Sequence, residues 1–404
     1  MSRPIDFTDP DLIQRGVPYE EFDRLRASEP VWWNHQEPGY GFDDGGLWLL
    51  TRHADVREAS VKPEIFSSWA NGAIVRFAEG MPREAIEMQR VMILNQDPPD
   101  HTKLRRIVNR GFTPRAIRMI EDALAERAER IAGEAAAAGG GDFVTQVACE
   151  LPLQAIAELL GIAQEDRKKI FEWSNQMIAY DDPDYRIDPE VASVELINYA
   201  MALGAKRAAE PREDIVTKLV TADLEDRGLT PDEFAFFVLI LSVAGNETTR
   251  NAITHGMMAF FQFPEQWERY KAERPSTTAD EIVRWATPVT IFQRTAMSDT
   301  QIGGVDIKAG QRVGLCYSAA NTDPEVFENP YTFDIGRDPN PHLGFGGGGP
   351  HYCLGANLAK MEINLMFNAI ADHMPEISQA GPPRRLRSGW LNGIKELPVS
   401  YGAR

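Results

Sequence analysis

The stretch from Thr230 to Phe263 constrains the fold of this chain more than any other. Thr230-Pro231-Asp232-Glu233 is a capping box with proline at the first helical position, and Pro264 follows, so the spacing predicts one long helix. Its first half, FAFFVLILSVAG, is apolar on every face. A helix without a polar face must be buried, with other elements packed around it. At 404 residues the chain could hold two or three average domains, yet a helical protein of this length can be one unit. The stretches Ala132 to Asp142 and Asp181 to Pro189 are short, lie between helical patterns and read as helix-to-helix turns rather than linkers. A single domain over residues 1–404 is expected.

Into the buried helix the sequence places Ala244-Gly245-Asn246-Glu247-Thr248-Thr249. Glycine inside a helix costs about 1 kcal/mol relative to alanine, and an unpaired buried carboxylate costs more. Such a break with local preference marks a functional site. A second anomaly lies downstream, in Gly344-Phe345-Gly346-Gly347-Gly348-Gly349-Pro350-His351-Tyr352-Cys353-Leu354-Gly355. Its glycines let backbone approach a flat macrocycle closely, and the amides and helix start after Cys353 favour an anionic sulfur. An arbitrary lone cysteine is a small core hydrophobe; in this loop Cys353 is a candidate axial ligand to haem iron.

The loop resembles the proximal haem-binding loop of the cytochrome P450 superfamily, in which Phe, Gly, a basic residue, Cys and Gly recur in that order. Phe345 lies eight residues before Cys353, one more than in the commonest pattern. The resemblance assigns Phe345, Gly346, His351, Cys353 and Gly355 to the haem-binding loop. It places Ala244 and Gly245 above the haem, leaving room for dioxygen, with Glu247 and Thr248 organising water for proton delivery. His101 and Arg105, four apart on one helix face, match propionate-binding positions, as do Arg294 and His351. Glu281-Ile282-Val283-Arg284 and Phe333-Asp334-Ile335-Gly336-Arg337 match two structural motifs; an i, i+3 ion pair on its own is a weak signal. The four motifs stand in family order, and the implied fold is mainly α, a triangular helical prism with a small β region near the N-terminus and short sheets near the end.

Charge and cysteine content narrow the setting. A net charge of −18 disfavours broad contact with nucleic acid or an anionic membrane. Against that background, His101 to Ile120 carries Lys103, Arg105, Arg106, Arg110, Arg115 and Arg118 with no acid, a patch suited to haem propionates or an acidic electron carrier. Three cysteines argue against a disulfide framework and for a reducing compartment. The longest apolar run, Phe234 to Gly245, is too short to span a bilayer, so no membrane anchor and a cytoplasmic location are expected.

A thiolate ligand favours O–O cleavage over reversible oxygen carriage, so the resemblance implies a monooxygenase that uses O2 and haem b. No strand followed by G-x-G-x-x-G supplies a nicotinamide or flavin site; a ferredoxin and an NAD(P)H-dependent ferredoxin reductase are the expected partners. A peroxide-driven peroxygenase usually lacks the acid–alcohol pair, and a haem sensor would need no proton relay. The stretches IDFTDP, PVWWNHQEPG, FSSWANGAIVRF, LNQDPPDHTKLRRIVNRGFTPRA and LRSGWLNGIKELPV look most like the actinobacterial sterol side-chain monooxygenases, which oxidise a terminal methyl of cholesterol or cholest-4-en-3-one. Terminal hydroxylases of methyl-branched lipids and terpenes share the glycine-rich loop. Position by position, the implied substrate pocket holds Ile74, Phe77, Met88, Met177, Val243 and Trp390. Aromatic and Met surfaces suit a long, rigid lipid.

Overall fold

The computed structural model describes residues 5–109, 111–185, 189–212, 214–221 and 229–402; Arg110 of the basic run lies outside them. The helices that position the site are α1 (His53–Val61), α2 (Asp100–Asn109), α3 (Pro114–Ala138), α4 (Glu150–Leu159), α5 (Arg167–Ile178), α6 (Pro189–Ala209), α7 (Pro231–Gln262), α8 (Thr278–Ala286) and α9 (Ala356–His373). Among the described residues no helix is long and apolar enough to cross a membrane.

The expected central helix is α7, and its start is built as the sequence indicates. Thr230 Oγ1 accepts the Glu233 N–H at 3.1 Å, while Glu233 Oε2 accepts the Thr230 N–H at 2.8 Å. Two otherwise orphaned donors are thereby satisfied. The helix buries Phe234, Phe237, Val238, Leu239, Ile253, Met257 and Phe260 and packs against α4, α5, α6, α8 and α9. Gly245 is explained by one of these contacts. A Cβ there would stand 2.2 Å from Ile156 Cδ1 of α4, so a larger residue would push that side chain aside.

The expected small β region near the N-terminus and short sheets near the end are present, and the N-terminal strands also join later ones in one sheet. Strands β1 (Val31–His35), β2 (Gly46–Leu50), β3 (Phe66–Ser67), β4 (Ile291–Ala296) and β5 (Arg312–Cys316) form one five-stranded sheet in the order β1-β2-β5-β4-β3. β1 and β2 pair antiparallel, with Trp33 opposite Trp48; β2 pairs parallel with β5, with Leu49 opposite Gly314. β5 and β4 pair antiparallel, with Gln293 opposite Gly314. Leu47, Leu49, Leu50, Val313 and Leu315 are fully buried, so hydrophobic burial joins segments far apart in sequence. Ala132 to Asp142 is also more than a turn: α3 continues to Ala138, and Gly140–Asp142 then pairs as a strand with Pro398–Ser400.

Helix α8 ties its surroundings together through the Glu281–Arg284 ion pair, which the motif match had assigned a structural role. Glu281 and Arg284 have 0% side-chain exposure. Arg284 donates from Nε to Glu281 Oε2 at 2.8 Å and from Nη2 to Oε1 at 2.7 Å. Arg337 Nε and Asn340 Nδ2 donate to Oε2 at 3.2 and 3.0 Å, and the Asp334 N–H donates to Oε1 at 3.0 Å. Arg284 also reaches the carbonyls of Asn321, Pro330 and Thr332. With both carboxylate oxygens and the guanidinium bonded, the desolvated charges are compensated.

Candidate active site and cofactor cradle

The glycine-rich segment folds as a tight loop leading into α9, with Gly355 at the helix cap. The Cys353 N–H donates to the Phe345 carbonyl at 2.9 Å, and the Gly346 N–H to the Leu343 carbonyl at 2.9 Å. Gly349 sits at φ +71°, and a Cβ there would approach the Ser60 carbonyl oxygen at the end of α1 to 2.4 Å; loop and helix touch backbone to backbone. Phe345 lies under the loop, its ring 5.6 Å from His342 and from Lys360 Nζ.

Cys353 is exposed, whereas Cys149 and Cys316 are buried. Burial pushes the Cys353 thiol up, opposed by the Gly355 N–H, by the Arg105 charge and by the Ala356 N–H. Coordination to a metal deprotonates a thiol outright. Cys149 and Cys316 lack any exposed face, and burial pushes both to about 12.

Four basic groups converge beside the loop. His101 and His351 have ring centroids 4.4 Å apart. Arg105, four residues after His101 on α2, donates from Nη2 to the Tyr352 carbonyl at 2.7 Å. Arg294, on β4, is buried and donates from Nη1 to the Gln293 carbonyl at 2.7 Å. His351 Nε2 lies 3.2 Å from Ser68 Oγ, a partner the sequence reading had not singled out. Among the described residues no carboxylate forms an ion pair with Arg105 or Arg294, and His101 Nδ1 is buried without a partner.

The electrostatics agree with that inventory. Burial, then the Arg105 charge, lowers His101 to about 4. Burial holds His351 well below the usual imidazole value, with Arg294, His101 and Arg105 adding to the effect. Burial also lowers Arg105 and Arg294. Asp97 acts on His101 and Arg294 by its charge without forming an ion pair with either, so two arginines beside two neutral imidazoles leave room for a further anion. The carboxylates of haem match this donor set, and two arginines suit carboxylate recognition. The residues present therefore fit a propionate-bearing macrocycle lying over Cys353.

On α7, Ala244 faces accessible space and Thr248 is half-exposed, although the helix is buried on both sides of them. Thr248 Oγ1 donates to the Ala244 carbonyl, one turn back, at 2.7 Å. Glu247 is oriented otherwise. Its Oε1 accepts a close ion-pair contact from Arg250 Nη2 and a 2.9 Å hydrogen bond from Asn251 Nδ2. Acid and alcohol do not bond each other, and Arg250 and Asn251 are partners the sequence reading missed. The available signal was a second charge three residues after Glu247 in a buried helix.

The six pocket candidates separate. Ile74, Met177, Val243 and Trp390 belong to one apolar cluster with Val75, Ile178, Ile291 and Leu391. Trp390 Nε1 donates to Tyr180 Oη at 2.9 Å, and Tyr180 in turn donates to the Arg76 carbonyl, closing the cluster at the α5–α6 connection. Phe77 joins Phe42 and Ile86 in a smaller cluster that Ile74 also touches. Met88 is 67% exposed.

Residues 152–373 match the family model described as Cytochrome P450. A Steroid C26-monooxygenase from Rhodococcus jostii is 62% identical to this chain, covering 98% of it and 84% of the relative. A Methyl-branched lipid omega-hydroxylase from Mycobacterium tuberculosis is 40% identical, covering 94% of this chain and 90% of that protein. Among solved structures, a Mycobacterium marinum cytochrome P450 in complex with pseudoionone superposes with a TM-score of 0.90 at 36% identity, covering 98% of this chain and 99% of the other. With a buried central helix, a glycine loop presenting one cysteine, and near full-length similarity to such enzymes, this chain belongs to the cytochrome P450 family of haem-thiolate monooxygenases.

Proposed function

We propose that this enzyme hydroxylates a terminal methyl group of a sterol side chain, such as that of cholest-4-en-3-one or cholesterol, and can carry the oxidation on to the acid. The observation that carries this reading is the 62% identity to a protein named Steroid C26-monooxygenase, against 40% to one named for methyl-branched lipids. The cluster formed by Ile74, Met177, Val243 and Trp390 supports it, because a rigid lipid can be fixed by apolar area with few polar contacts.

When bound, haem held by a thiolate supplies reductive activation of dioxygen biased toward O–O cleavage. Cys353 holds the iron. His101, Arg105, Arg294 and His351 hold the propionates, with the Ser68 hydroxyl fixing the His351 ring. Phe345 and Gly346 shape the loop beneath the macrocycle, and Gly355 caps α9 so that its first amides face the sulfur. Ala244 keeps the oxygen side open, Gly245 leaves room for Ile156 of α4, and the Thr248 hydroxyl, already bonded to the Ala244 carbonyl, holds the water that hands on protons. Glu247 is the proton source behind it. Electrons come from a ferredoxin and its NAD(P)H-dependent reductase, docking at the basic face of α2.

Reconstituted with a ferredoxin and reductase, the wild type is expected to convert cholest-4-en-3-one to its terminal alcohol, read by mass spectrometry. A product only from methyl-branched fatty acids would replace the sterol assignment. Thr248→Ala should bind substrate nearly as the wild type does but divert electrons to peroxide. Product per electron should fall by on the order of tenfold or more, the scale of a lost proton-transfer group. An unchanged yield per electron would remove Thr248 from proton delivery.

A further inference from the structure

The residues assigned to the propionates come from three separate segments, and one side chain outside that set ties the segments together. Asp97 stands just before Pro98-Pro99 and the start of α2. Its backbone carbonyl accepts the His101 N–H at 3.0 Å, so it holds the first turn of the helix that carries His101 and Arg105. Both of its carboxylate oxygens turn to the end of β3. Oδ1 accepts the Ser68 N–H at 2.8 Å, and Oδ2 accepts a close hydrogen bond from Ser67 Oγ. Ser67 Oγ in turn accepts the Trp69 and Ala70 N–H groups at 3.0 and 3.2 Å. Both serines are buried, and the turn they form sets Ser68 Oγ 3.2 Å from His351 Nε2.

Three parts of the cradle therefore meet at Asp97. Helix α2 is reached through its backbone, the cysteine loop through Ser68, and β4 through Ser67, which pairs opposite Thr295, the neighbour of Arg294. The charge of Asp97 acts on the same groups, raising His101 and Arg294 against the larger effect of burial. We propose that Asp97 is a positioning residue for haem: it locks β3 to α2 so that Ser68 holds the His351 ring, and it fixes one negative charge beside His101 and Arg294 that keeps the haem reduction potential low. This inference rests on the propionate cradle described above.

The test separates shape from charge in the haem-loaded protein. Asp97→Asn keeps the size of the side chain and an oxygen for the Ser68 N–H, but removes the charge. A nearby negative charge favours ferric over ferrous haem, so its loss should raise the ferrous-to-ferric ratio at a fixed potential roughly tenfold, the scale of one unit charge in a partly screened site. For a one-electron couple that is about 59 mV, read by spectroelectrochemical titration of the Soret band. Asp97→Ala also removes both serine contacts, so it should show the same rise and release haem to excess apomyoglobin roughly tenfold faster than Asp97→Asn, as expected for lost hydrogen bonds to a charged group. Asp100→Asn is the control: it removes an equal charge three residues away, from a side chain that is 76% exposed, and should leave both readouts at the wild-type value. A purely structural Asp97 would speed haem release in the alanine variant while leaving the potential of Asp97→Asn unchanged. That result, or equal potential shifts in Asp97→Asn and Asp100→Asn, would overturn the proposal. Arg294→Ala tests the underlying reading separately: if it released haem no faster than the wild type, the propionate cradle itself would fail, whatever the Asp97 variants did.

Discussion

Cys353→Ala is expected to give a folded protein that neither shows the red-shifted carbon monoxide band of a thiolate-ligated haem nor forms product above background. The loss is chemical rather than structural. The Cys353 N–H still donates to the Phe345 carbonyl, Arg105 still holds the Tyr352 carbonyl, and Gly349 still packs on the backbone at Ser60. What disappears is the sulfur toward which the amides of Gly355 and Ala356 are directed. Neither other cysteine can substitute, since both are buried. Retained NADH-coupled product formation by this variant would refute the ligand assignment.

Glu281→Ala is expected to cost on the order of 3–5 kcal/mol of folding stability, the range for removing one partner of a buried ion pair. Arg284 would keep its charge at 0% exposure with no counter-charge, and Arg337, Asn340 and the Asp334 N–H would lose their acceptors. Because α8 packs on α7 and α9, the damage reaches the helix that carries Thr248 and the helix that follows Cys353. Denaturant unfolding monitored by circular dichroism and by haem release checks this. An exposed pair such as Arg24–Glu21 serves as the control and should change stability by less than about 1 kcal/mol. Equal effects at the two positions would contradict the structural role of Glu281.

How much of this was legible beforehand depended on whether the signal was local. The capping box at Thr230 and the glycine-rich loop before Cys353 are short-range patterns whose chemistry is readable from neighbouring residues, and both fold as read. The convergence of His101, Arg105, Arg294 and His351 was legible only through resemblance, since α2, β4 and the loop are far apart in the chain. The strand order of the five-stranded sheet was not legible, because β2 and β5 pair across more than two hundred and fifty residues, which no local alternation records. Burial was the other blind spot. Glu281 and Arg284, taken alone, look like any i, i+3 pair and were read as structural only through resemblance, and the 67% exposure of Met88 is not recorded in its neighbours. The clamp on Glu247 could have been suspected, because a second charge in so apolar a helix needs a partner.

The central claim is that a sterol occupies the space between α5, α7 and the Trp390 segment, next to haem held by Cys353. The most direct test is an anaerobic titration of the ferric protein with cholest-4-en-3-one, watching the Soret band. A saturable low-to-high-spin shift in the micromolar range is expected, reporting haem, a displaced axial water and a sterol pocket together. The absence of a shift with the sterol, alongside a shift with a methyl-branched fatty acid, would contradict the sterol assignment and leave the monooxygenase in place.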